Sequence, residues 1–166
     1  MTLSFMLIAL VIIAIIAGPI MMLRPSPGQK RKETMRTWAR EKGIHFSQRR
    51  LPQSLAEAHT NELIPVYFFA PDKSQTEQGW TLVRSQFSHE LHFMGSWEWQ
   101  GAARATEAEQ VVLRNYVVGL PESVKALSSG AQGICVYWTE QGGEAELRTL
   151  AVLLEDLKQA VSAKLL

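Results

Sequence analysis

Between residues 3 and 23 the chain reads LSFMLIALVIIAIIAGPIMML, 21 residues without a charge. Only Ser4, Gly18 and Pro19 depart from strongly apolar chemistry, so the stretch has no polar face to turn toward water. A helix of that length rises roughly 30 Å at about 1.5 Å per residue, matching the hydrocarbon core of a bilayer. A helix also satisfies its own backbone in lipid, and Pro19 lies near enough to the far end to bend or end the span. The expectation is an uncleaved transmembrane anchor over residues 1–23.

Charge gives that anchor a direction. No Lys or Arg precedes it, whereas Arg24, Lys30, Arg31, Lys32, Arg36, Arg40 and Lys42 follow, opposed only by Glu33 and Glu41. Basic flanks resist translocation, so the expected topology is single-pass in a bacterial inner membrane, N-terminus periplasmic and C-terminal domain cytoplasmic. A cleavable signal peptide carries its positive charge before the apolar run, the reverse of this arrangement. The basic segment, residues 24–42, then faces the bilayer. Arg24, Lys30, Arg31, Lys32, Arg36 and Arg40 become the expected headgroup contacts, each worth about 1 kcal/mol at an anionic leaflet.

Residues 43–166 remain for a single domain with its own core. Ten basic and fourteen acidic residues give this part a charge of about −4, although the whole chain is +1. An acidic body lacks the basic face that nucleic acid demands. One cysteine, Cys135, allows neither an internal disulfide nor a multi-cysteine zinc site, which fits a reducing compartment.

Two prolines and a glycine in RPSPG (24–28) break the first helix. Residues 29–42 then read as a short helix with Met35, Trp38 and Ala39 on one side and Gly43 as its stop. Trp38 is suited either to an interfacial layer or to packing against the domain. From residue 44 the period shortens to that of strands. Residues 44–51 form a weak strand, and 63–70 an apolar one in which Pro65 points to an edge or strand-start position. Residues 80–87 and 91–100 alternate, with Leu91, Phe93, Gly95, Trp97 and Trp99 facing one way. Residues 111–118 suit a strand by β-branched content, or a helix capped by Thr106; the strand is the preferred reading, followed by a short helix opened by Pro121. Residues 134–139 make another strand, with Ile134, Val136 and Trp138 on one face. Residues 144–164 place Leu147, Leu150, Leu154, Leu157 and Val161 on one helical stripe. The expected fold is α+β: the transmembrane helix, a basic juxtamembrane helix, and a small, mainly antiparallel sheet of four or five strands covered by the C-terminal helix.

Chemistry is sparse. His89 and His92 stand three apart in a strand-like stretch, whereas a zinc-protease pair needs four on a helix; His45 and His59 have no ligand spacing. Cys135 sits inside an apolar strand as a small hydrophobe. No G-x-S-x-G elbow or phosphate loop occurs, and Glu98 and Glu140 could pair in space, although solvated surface acids are the simpler expectation. No cofactor and no metal are expected. Trp80, Trp97, Trp99 and Trp138 form the one aromatic concentration, a candidate binding face for which core packing is the simpler use.

The exit of the first helix, IMMLRPSPGQKRKE (20–33), resembles the YajC accessory subunit of the Sec preprotein translocase, in which a single N-terminal helix ends in Leu-Arg-Pro before a Gln/Lys/Arg-rich run. Leu23, Arg24, Pro25, Gln29, Lys30, Arg31 and Lys32 carry the resemblance. It implies a membrane anchor and a cytoplasmic domain, and extends to about a fifth of the chain. The functional expectation is a non-enzymatic accessory or scaffold protein meeting a membrane-protein partner, with a link to protein translocation implied by the resemblance; the alternative is a membrane-tethered small-molecule or lipid sensor.

Overall fold

Among the described residues a seven-stranded antiparallel sheet organises the body of the protein. In the computed structural model, residues 2–22, 26–52, 63–71, 79–85 and 92–162 are described. Their contacts divide the chain into two units, Met1–Glu33 and Thr34–Leu166. The strands are β1 (His45–Arg50), β2 (Leu63–Phe69), β3 (Trp80–Arg84), β4 (His92–Met94), β5 (Trp97–Trp99), β6 (Val124–Gly130) and β7 (Gly133–Trp138), in the spatial order β1-β2-β7-β6-β3-β5-β4. Every neighbouring pair is antiparallel.

Among the described residues there are four α-helices: α1 (Thr2–Met22), α2 (Pro27–Glu41), α3 (Glu107–Tyr116) and α4 (Glu144–Ser162). None of these helices is long and apolar enough to cross a membrane. This overturns the expected transmembrane anchor, and with it the single-pass, inner-membrane placement and the N-out topology.

The sheet also exceeds the small one expected, for two local reasons, and one expected strand is a helix. Residues 91–100 are not one strand but a hairpin, because Gly95 takes φ 59°, a left-handed turn that glycine adopts without a Cβ penalty. The short helix expected after Pro121 is instead β6, whose backbone is paired on one side by β3 and on the other by β7. Residues 111–118, read as a strand, lie mostly in α3. There Thr106 and Glu109 close a capping box, satisfying two amides of the first turn. A second capping box, Ser26 with Gln29, opens α2 at Pro27, two residues before the expected start. Pro65 lies where β2 pairs with β1 alone, since β7 joins only from Val66 onward.

One sheet face is covered by helices. Met35 and Ala39 of α2, Leu113 of α3 and the α4 leucines share a core with Tyr67, Leu82, Trp97, Trp99, Val136 and Trp138. On α4, Leu147, Leu150, Leu153, Leu154 and Leu157 are buried and Val161 is half-buried. Each fully buried aliphatic side chain of this kind contributes about 1.5 to 3 kcal/mol. The opposite face carries a smaller cluster of Val66, Val83, Ala126, Cys135 and Tyr137.

Glu109 does two jobs at the α3 entrance. Its Oε2 accepts from the Thr106 amide and hydroxyl at 2.8 Å each, and its Oε1 accepts from the Trp80 indole at 2.9 Å. Thr106→Ala is expected to cost about 1 kcal/mol in urea unfolding, and Glu109→Ala about 2 to 4, since it also orphans a buried indole. Equal losses in the two variants would show that the indole contact carries no weight.

Candidate functional site

The four tryptophans of the candidate binding face are core residues. Trp80, Trp97, Trp99 and Trp138 expose 4%, 1%, 5% and 0% of their surface. Three of the indoles donate inward: Trp80 to Glu109, Trp97 to the Val117 carbonyl at 3.0 Å, and Trp138 to both Ser123 Oγ (3.1 Å) and Glu146 Oε2 (3.0 Å). Of the basic residues, Lys30, Arg31, Lys32 and Arg40 are exposed on α2, whereas Arg24 lies outside the described residues. His59, His89 and Glu90 also lie outside them. His45 lies against Phe68 with ring centroids 5.5 Å apart, and His92 occupies β4. Among the described residues no group of His, Cys, Asp and Glu gathers to hold a metal ion. Glu98 and Glu140 are not a pair: Glu98 stands beside Val83 on the face away from the helices, while Glu140 meets Tyr67 on the helical side.

Cys135 is buried, and burial pushes its thiol up from the ordinary value, with the nearby Arg49 guanidinium opposing. Arg49 Nη1 donates to its sulfur at 3.3 Å. The thiol is held in its neutral form.

Arg36, expected at a headgroup layer, is committed to the protein. Its Nε and Nη2 donate to the two oxygens of Glu140 at 2.8 Å each, a bidentate pair, and Tyr67 donates its hydroxyl to Glu140 Oε1 at 2.8 Å. The Glu140 side chain is fully buried, and Arg36 retains 27% exposure. The guanidinium also lies 4.0 Å from the Phe46 ring centroid. Glu140 adopts φ 61°, a left-handed conformation that costs a non-glycine residue of order 1 kcal/mol. That conformation follows the end of β7 and lets the carboxylate meet both α2 and β2. The clasp fixes where α2 lies on the sheet.

Fixing α2 leaves an open groove of about 430 Å³ between α2, the end of β2 and α4. Its bed is Trp38, Ile44, Phe69, Ala151 and Val152; its rim carries Lys42, Arg148, Glu155 and Asp156. Trp38 is half-buried and Val152 is 52% exposed. Arg148 lies over the Trp38 ring at 5.6 Å, and Lys158 over Phe69 at 4.5 Å. Among the described residues the groove lining contains no histidine, cysteine, serine or threonine; its titratable groups are Lys42, Arg148, Glu155 and Asp156. What the arrangement can do is desolvate an apolar group and orient charged neighbours around it. Sequence reading finds Trp38 on the apolar side of α2 but not the groove, whose walls come from segments more than a hundred residues apart.

Two predictions follow from the phenols and the clasp. Burial, then the Glu140 hydrogen bond, holds Tyr67 well above its ordinary 10.0, and burial holds Tyr137 above it. The folded state therefore keeps these protons at a pH where the unfolded chain has released them. Their stabilisation is full below pH 10.0 and is lost as pH rises above it. Native-state absorbance titration should show phenolate forming late, with a jump on unfolding; ordinary titration of all three tyrosines in the native protein would contradict the buried phenols. Glu140→Gln, which leaves Arg36 without its counter-charge, should cost about 2 to 4 kcal/mol by urea unfolding, short of a fully buried pair because Arg36 is partly wet. A loss below about 1 kcal/mol would place the clasp among ordinary surface pairs.

Comparison with known proteins finds no family model, no curated protein and no solved structure that matches this chain, so the functional reading rests on the groove and its surroundings.

Proposed function

We propose that this is a non-enzymatic accessory or scaffold protein whose Thr34–Leu166 body holds a segment of a protein partner in the groove between α2 and α4. The observation that supports this reading most directly is the groove itself: two aromatic and three aliphatic side chains form an open bed beside a charged rim. Apolar bed and polar rim are the anatomy of a protein interface, and tryptophan and arginine are the residues that most often dominate one energetically. A bed built of helix and strand is also rigid, so a bound segment bears the larger share of the ordering cost.

The acidic balance of residues 43–166 supports a protein over a nucleic acid as partner. The placement of the cations adds to this. Arg49, Arg84, Arg104, Arg114, Arg148 and Lys158 each lie over an aromatic ring of the protein instead of forming a basic stripe.

A random peptide library displayed on phage and panned on the full chain tests the reading. Enriched peptides are expected to share a large aliphatic or aromatic anchor and to bind with Kd of roughly micromolar order. Val152→Arg, at an exposed helix position, should weaken them at least about tenfold, a loss of about 1.4 kcal/mol. Val118→Arg, at a position 73% exposed and outside the groove lining, should leave them unchanged. Failure to enrich any peptide, or peptides indifferent to Val152→Arg, would overturn the assignment.

A further inference from the structure

The four charged groups on the groove rim are not equivalent. Arg148 is already matched: its Nη2 and Nε donate to Glu144 Oε1 at 2.6 and 3.2 Å, one turn earlier on α4, and its guanidinium covers Trp38. Asp156 is engaged as well, accepting from the Tyr116 hydroxyl at 2.5 Å. Lys42 and Glu155 are different. Among the described residues neither side chain has a hydrogen bond or an ion pair, and both are exposed. They also stand on opposite walls. Lys42 follows the last residue of α2, and Glu155 projects from the middle of α4.

An apolar bed flanked by one uncommitted cation and one uncommitted carboxylate is an asymmetric surface. We propose that the groove reads direction: it takes a partner segment whose apolar anchor is bracketed by a carboxylate on the Lys42 side and a cation on the Glu155 side. This rests on the groove being the binding site. The division of labour follows from magnitudes. Exposed ion pairs are individually weak, and burial of the anchor against Trp38, Phe69 and Val152 supplies most of the affinity. The two charges choose between the segment's two orientations and speed the encounter. A segment laid in reverse places like charge against like at both ends, so discrimination comes from repulsion as well as attraction.

Parallel panning of the same peptide library on the unaltered protein, Lys42→Glu, Glu155→Lys and the double exchange provides the test. Peptides selected by the unaltered protein should carry an acid on one side of the anchor and a base on the other. Lys42→Glu should convert the acid preference to a base, Glu155→Lys the base to an acid, and the double exchange should reverse the motif. A peptide chosen by the unaltered protein should lose about 3- to 10-fold in affinity to either single variant at low salt, by fluorescence anisotropy, and less at high salt. Motifs that stay blind to charge but are lost on Val152→Arg would overturn the directional reading and leave the groove standing. Peptides indifferent to both kinds of substitution would overturn both.

Discussion

Three aromatic donors buried in the helix-covered face of the sheet each need an acceptor, and each finds a carboxylate. The Trp80 indole meets Glu109 of α3, the Trp138 indole meets Glu146 of α4, and the Tyr67 hydroxyl meets Glu140, which also grips Arg36 of α2. Leaving such a donor unsatisfied costs about 1 to 3 kcal/mol, a sizeable fraction of a domain's net stability. Apolar packing alone discriminates less sharply between registers one turn apart, because leucines three and four residues on occupy the same stripe. A fixed polar contact does not slide. The three helices are thus registered on the sheet by hydrogen bonds that pass through its aromatic residues.

That registration is visible in what the backbone concedes to it. Glu140 accepts a left-handed conformation at the end of β7, held by the bidentate Arg36 pair and the Tyr67 hydroxyl. At the start of α4, a Cβ on Gly142 would lie 1.5 Å from the Glu146 carboxyl carbon, so the absence of a side chain there makes room for the acceptor of Trp138. Because α2 is pinned through Glu140 and α4 through Glu146, the sheet sets the space between them, and Arg148 of α4 reaches over Trp38 of α2 across it. A groove can persist there without collapsing.

The elements that sequence patterning identifies well are those whose pattern has one physical meaning. Leucines three and four apart in α4, and alternation in β7, each fit a single geometry. Elements with mixed signals fare worse. The valines of 111–118 favour a strand by propensity, yet the Thr106/Glu109 box and the Trp80 contact make the segment α3, a tertiary override of a local preference. The mixed sequence of β6, VKALSSG, lacks a clean alternation and is held by its two neighbours. At the N-terminus, hydropathy counted over residues 3–23 suggests a span, whereas none of the helices among the described residues is long and apolar enough to cross a membrane. The groove was hidden for a different reason: Trp38, Phe69 and Val152 look like three separate core residues until the fold leaves them side by side.

The cations over the aromatic rings bear on what the groove can accept. Aromatic faces beside carboxylates would ordinarily suit a quaternary ammonium or a methylated lysine. Here Arg148 and Lys158 already lie over Trp38 and Phe69, so a cationic ligand at either ring would displace a tethered partner and meet a like charge. Carbon meets neither obstacle. An aliphatic or aromatic anchor can pack on the half-buried Trp38, on Ala151 and on Val152 while both cation–π contacts stay in place. The charged neighbours of that anchor then fall to Lys42 and Glu155, the rim groups that the protein itself leaves unmatched among its described residues.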